Sequence, residues 1–271
     1  ELKQAFHHAM LAHGHGVAAV RTQGGPRARV GLVHNVDIAV PLFENESDIA
    51  AAQAEFAYRH AHLLGAVYHG RYTDEYLARH GGRIEVRAGD MELISQPTDF
   101  LGINVYSGYF VRAAPGDKPE MRPYSPSGAR INPQVLSLPE DFPASNFATI
   151  KHLPQAMYWG LRHCAALYGP REFYIAENGV SGDDRVDANG ECFDLSRKEY
   201  LRNYLISLHR ALAEGVPVRG YFLWSWMDNF EWAEGYSKRF GLVHVDFATQ
   251  KRTPKLSAHW YAEVMRTGHL V

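Results

Sequence analysis

The chain has 271 residues, with 28 Lys and Arg against 30 Asp and Glu and 46% apolar residues, the proportions of a globular protein with one sizeable core. A formal net charge of -2 gives no field suited to nucleic acid or an acidic membrane, and no apolar run approaches the roughly 18 residues needed to span a bilayer. Cys164 and Cys192 cannot make a disulfide framework, which points to a reducing, cytoplasmic setting.

The sequence opens without an initiator Met or a signal peptide and reads as if it begins inside a helix. Apolar residues at Phe6, Met10, Leu11, Val17 and Val20 predict a helix over 4–21, ended by Gly24, Gly25 and Pro26. The run Val30–Val36 predicts a buried parallel strand, and 48–80 one long helix or two shorter ones. A second strand is expected over Asp99–Tyr106. Seven prolines between 113 and 146 mark a long excursion loop. Helical spacing returns over 153–168, a third strand runs from Phe173 into Glu177-Asn178-Gly179, and a helix over 195–214 stops at Gly215 and Pro217. Strand Val218–Trp224 and a helix near 255–266 complete the pattern. Alternating strands and helices argue for an α/β fold with a parallel sheet under helical cover. The length suits a (β/α)8 barrel, but only four strands are legible, so the chain is expected to supply half of one.

Three clusters carry chemistry. Glu177 ends an apolar strand before a forced turn, where barrel enzymes place catalytic groups, and alternation puts it on the side of Phe173 and Ile175. Read alone, it is equally a salt-bridge partner or a loop cap. The segment Trp224-Ser225-Trp226-Met227-Asp228-Asn229-Phe230-Glu231-Trp232 sets aromatic faces beside carboxylates, a combination suited to gripping a sugar and equally to core packing. Asn104 and Tyr106 share a face at the end of the second strand, a weak signal by themselves.

With Asp99–Tyr106, Tyr174–Gly179, Gly220–Trp232, Gly235–Leu242, His7-His8, Ala12-His13-Gly14, Arg252–Lys255 and Trp260-Tyr261 all in order, the chain resembles the glycoside hydrolase family 1 β-glucosidases. The resemblance implies a retaining β-glycosidase acting on a β-glucoside or cello-oligosaccharide, as in cellulose degradation. By it, Glu177 is the nucleophile, Tyr106 hydrogen-bonds it, and Asn104 lies beside the reacting sugar. Trp224 is the pocket floor, Glu231 grips two hydroxyls, and Trp232 and Phe240 complete the pocket. The related 6-phospho enzymes carry Ser where this chain has Trp232 and Tyr where it has Phe240, which implies unphosphorylated sugars. Ile150, four residues before Pro154, stands where the family usually has an aglycone-side Trp.

The family's acid/base Glu lies in an Asn-Glu-Pro motif that is absent here, since Asn45-Glu46 precedes Ser47. The whole of 1–271 is therefore expected to be the C-terminal half of one glycosidase domain, strands five to eight, needing a complementary N-terminal half for the acid. No cofactor and no metal are expected: His7, His8, His13 and His15 have no acidic residue among them and read as helix packing. Asn45-Glu46-Ser47 fits a glycosylation sequon by chance. The rival reading is a non-catalytic sugar-binding fragment that has kept the pocket.

Overall fold

A computed structural model describes residues 2–78, 82–115, 131–147 and 149–270. In chain order it contains α1 (Leu2–Gln23), β1 (Gly31–Asn35), β2 (Ile38–Pro41), α2 (Glu46–His60), a π-helical turn (Ala61–Gly65) and α3 (Ala66–His69). Then come α4 (Asp74–Ala78), α5 (Asp90–Ile94), β3 (Phe100–Asn104), β4 (Gly108–Ala113), β5 (Pro133–Val135) and α6 (Gln155–Tyr168). β6 (Phe173–Asn178), α7 (Leu195–Ala213), β7 (Val218–Leu223), a 3-10 turn (Trp232–Glu234), β8 (Val243–Val245), β9 (Arg252–Pro254) and α8 (Leu256–Thr267) complete the chain.

The four strands expected from sequence are β1, β3, β6 and β7, and they form one parallel sheet in the order β1-β3-β6-β7. Leu101 and Ile103 of β3 and Phe173 and Ile175 of β6 are fully buried in the main hydrophobic core, together with Met157 and Leu161 of α6 and Leu201 and Tyr204 of α7. The opposite face carries Val33, Tyr174 and Phe222. A Cβ added at Gly102 would touch Val33 and Ala176, and one at Gly220 would meet the Tyr174 ring, so these small residues make room for large neighbours. Val33 is 53% and Phe222 59% exposed, and both sit on the sheet's outermost strands.

The structure departs from the sequence expectations in several places. The 48–80 helix is broken by the π-helical turn and by Gly70, whose φ of 63° ends α3. β2 was not expected. Its four residues are all buried, and it pairs in parallel with β4 beside the main sheet. In the excursion loop over 113–146, Pro133–Val135 pair with β4 as β5, while 116–130 lie outside the described residues. Asn45 is the N-cap of α2, its side-chain oxygen accepting from the Asp48 backbone N–H at 2.8 Å, which gives the apparent sequon a helix-starting role. Of the clustered histidines only His7 is buried, between the Tyr72 hydroxyl at 2.9 Å and Asp90 at 3.1 Å; His8 and His15 are not.

Candidate active site

Glu177 comes from the end of β6, but not by simple alternation. β3 and β6 pair Ile103 with Ile175 and then Asn104 with Glu177, so Ala176 is an extra residue in the ladder. Such a bulge turns the next residues to the other face. Without it, Glu177 would join Phe173 and Ile175 in the core; with it, Glu177 lies with Asn104 and lines an open cavity of about 690 Å³.

The neighbouring strand places its partner. The Tyr106 hydroxyl donates to Glu177 Oε2 at 2.6 Å, and the Val105 backbone N–H donates to the Glu177 carbonyl at 2.8 Å. Burial, and then the bond to Glu177, push the Tyr106 hydroxyl far above its usual range, so it remains a donor at any working pH. Behind it, the hydroxyls of Tyr200 and Tyr204 donate to the Tyr106 carbonyl at 2.7 and 3.0 Å. Asn178 is fully buried, donating to the Val105 carbonyl at 2.6 Å and accepting from the Tyr221 hydroxyl at 2.6 Å. Three adjacent strands are thereby fastened at the level of Glu177.

β7 supplies the other wall. Trp224 N–H bonds to the Asn178 carbonyl, and a Cβ on Gly179 would lie 1.7 Å from the Trp224 carbonyl oxygen, so only glycine permits this approach. The Trp224 indole N–H donates to Glu231 Oε1 at 3.0 Å, which fixes the carboxylate relative to the ring. The Glu231 carboxyl is held above its ordinary range, mainly by burial and further by the charge of Glu177, with the Trp224 bond opposing. Phe240 is buried, edge-on to Tyr106 with ring centres 6.4 Å apart.

All seven residues singled out from sequence line this one cavity: Asn104, Tyr106, Glu177, Trp224, Glu231, Trp232 and Phe240. Trp232 differs from the rest. It is 83% exposed, on the rim rather than packed into a closed pocket. Asn104 Oδ1 is buried without a hydrogen-bond partner, at the edge of the cavity the residue lines. Asn35, Val36 and Asp37, from the β1–β2 turn, and Phe147, Thr149 and Ile150 also line the cavity. The first three were detectable as the end of a parallel strand; Phe147 and Thr149 sit in an irregular loop with no sequence signal. Among the described residues no three His, Cys, Asp or Glu side chains are placed to share a metal ion. The arrangement offers a carboxylate bonded to a hydroxyl donor, an indole lining the same cavity, and a second carboxylate held by that indole. Those parts suit a polyhydroxylated ring.

Comparison with known proteins finds relatives over almost the whole chain. The chain is 38% identical over 272 residues to a 1,4-beta-D-glucan glucohydrolase of Thermotoga neapolitana, covering 97% of this chain and 56% of that protein. It is 32% identical over 281 residues to a 6-phospho-beta-galactosidase of Streptococcus equi subsp. zooepidemicus, covering 97% of this chain and 59% of that one. Among solved structures, the family 1 b-glucosidase from Thermotoga maritima superposes with a TM-score of 0.77 at 34% identity, over 98% of this chain and 57% of that one. A beta-glucosidase from Thermotoga maritima in complex with glucoimidazole gives a TM-score of 0.79 at 34% identity, over 98% of this chain and 57% of that one. The chain thus spans a little over half the length of these relatives, and its sheet and helices correspond to part of their TIM barrel. The profile described as glycosyl hydrolase family 1 matches residues 1–269, and the chain belongs to that family.

Proposed function

We propose that this chain is the nucleophile-bearing part of a retaining β-glucosidase, contributing the last four strand–helix units of the barrel. The observation that carries the reading is the 2.6 Å bond between Tyr106 and Glu177 at the ends of adjacent parallel strands, inside a cavity that Trp224 and Glu231 also line. In the first step a Glu177 carboxylate oxygen attacks the anomeric carbon, and the bond to the leaving oxygen breaks with its electron pair. A covalent glycosyl ester results, which water then opens with a second inversion. Tyr106 keeps one carboxylate oxygen hydrogen-bonded and so orients the attack. The ring stacks on Trp224, ring hydroxyls donate to Glu231, and Asn104 lies beside the reacting sugar.

Natural leaving groups need a proton donor about 5–5.5 Å from the nucleophile. The carboxylates lining the cavity are Asp37, Glu177 and Glu231. Glu231 is engaged by Trp224, and Asp37 is ion-paired with Arg59 at 2.7 Å. The proposal therefore assigns the acid to a complementary segment of the relatives' length that pairs with the open sheet edges. Substrates are unphosphorylated β-glucosides and cello-oligosaccharides, because a phosphate would approach the Glu231 carboxylate. A cytoplasmic role in cellulose breakdown accords with the free thiols of Cys164 and Cys192.

An activated 2-fluoro-glucoside tests the nucleophile without the missing acid, since its leaving group departs unprotonated. Intact-mass analysis should show one fluoroglucosyl group added, on a peptide containing Glu177. A chain that binds glucose analogues yet forms no adduct would be a sugar-binding protein instead.

A further inference from the structure

Behind the cavity lies a set of six charged side chains that the reaction does not use. Arg197, Lys255, Asp184, Asp194 and Asp228 are each at most 5% exposed, and Arg239 is 21% exposed. Three cations face three anions. Lys255 Nζ donates to Asp228 Oδ1 at 2.8 Å and to Asp184 Oδ2 at 2.6 Å. Arg239 Nη1 donates to Asp228 Oδ2 at 2.5 Å, and Arg197 Nη2 to Asp184 Oδ2 at 2.6 Å. Arg197 also pairs with Asp194, which caps the start of α8 by accepting from the Ser257 backbone N–H at 2.8 Å.

The cluster is tied to backbone that carries site residues. Arg197 Nε donates to the Val180 carbonyl at 3.0 Å, three residues after Glu177, and its Nη2 to the Arg239 carbonyl at 2.6 Å, next to Phe240. Asp228 lies midway between Trp224 and Glu231 and accepts from the Gly241 backbone N–H at 3.0 Å. We propose that Lys255 is a positioning residue for the sugar cavity: by bridging Asp184 and Asp228 it locks the segment after Glu177 to the Trp224–Glu231 segment.

A uniformly structural ion cluster and a positioning one respond differently to charge repair. Lys255→Met leaves two cations against three anions, whereas Lys255→Met with Asp184→Asn is balanced again but has no bridge. The test follows the Trp224 indole N–H resonance in the chain without ligand, assigned through Trp224→Phe, beside thermal unfolding and the affinity for deoxynojirimycin. Lys255→Met should lower Tm, move the Trp224 resonance and weaken inhibitor binding by about tenfold or more, the effect of sub-ångström misplacement. The double variant should regain much of the lost Tm while the resonance stays displaced and binding stays weak. A Trp224 resonance unmoved by Lys255→Met, or one restored together with Tm in the double variant, overturns the proposal. If Lys255→Met does not fold, Asp184→Asn alone, which releases one end of the bridge, must move the resonance for the proposal to stand. The inference about binding rests on the sugar-pocket reading: wild-type chain that ignores deoxynojirimycin refutes that reading, while the resonance still tests the bridge.

Discussion

The Tyr106 hydroxyl meets Glu177 Oε2 at 2.6 Å across 71 residues of sequence because a single extra residue, Ala176, turns Glu177 toward β3. Removing that hydroxyl takes a charge-assisted donor from the Glu177 carboxylate, the proposed nucleophile, an interaction of about 1.5–3 kcal/mol. Tyr106→Phe should slow formation of the fluoroglucosyl adduct by about 10–100-fold with little change in Tm. Stopped-flow release of the leaving group gives the rate. A Tyr106→Phe rate equal to wild type would mean the bond plays no part in attack.

With Glu231 as the proposed grip on ring hydroxyls, its titration should set the acid side of sugar binding. Its raised pKa means that falling pH protonates it before an ordinary surface carboxylate, whose pKa is about 4.3. The neutral acid loses acceptor strength toward ring hydroxyls, so affinity for a neutral glucose analogue should decline through that range. Calorimetric titrations from pH 7 to 4 should show the loss in wild type and none in Glu231→Gln, which binds weakly throughout.

Gly179 is the tightest point of the cavity wall. A methyl group there would overlap the Trp224 carbonyl oxygen at 1.7 Å, and backbone on both sides must separate. Gly179→Ala should cost about 3 kcal/mol, the upper end of overpacking, and abolish sugar binding at millimolar ligand. Urea unfolding and ligand titration on the same sample give both numbers.

Buried histidines make the fold acid-sensitive. Burial pushes His163 down to about 4, against a bond to the Ala39 carbonyl at 2.9 Å, and His60 to about 4 likewise. The unfolded chain takes up these protons near pH 6.5 and the folded one only near 4. Stability is therefore complete above pH 6.5 and falls between 6.5 and 4, on the order of 3 kcal/mol for His163. Urea midpoints should drop across this window, and His163→Gln should flatten the slope.

The main sheet was legible because each strand is an apolar run closed by turn residues, as in Phe173–Asn178 before Gly179. The seven cavity residues were legible because strand ends converge in a parallel sheet and because the chain resembles a known family. The face on which Glu177 lies was not. Alternation is a local rule, and the bulge that breaks it is set by pairing with β3. β2 escaped notice because Val36-Asp37 alone separates it from β1. Trp232 looked like a pocket wall; it lines the cavity but stands exposed on its rim, because no neighbouring element packs over the 3-10 turn that begins with it among the described residues. The bridge from Lys255 to Asp184 and Asp228 spans separations of 71 and 27 residues, with no periodicity to announce it.

The sheet's outermost strands, β1 and β7, have a practical effect at the bench. Among the described residues each has a strand on one side only, and with Val33 and Phe222 exposed there these edges invite a second molecule to add its own. Sedimentation of this polypeptide should therefore show dimers and larger species growing with concentration.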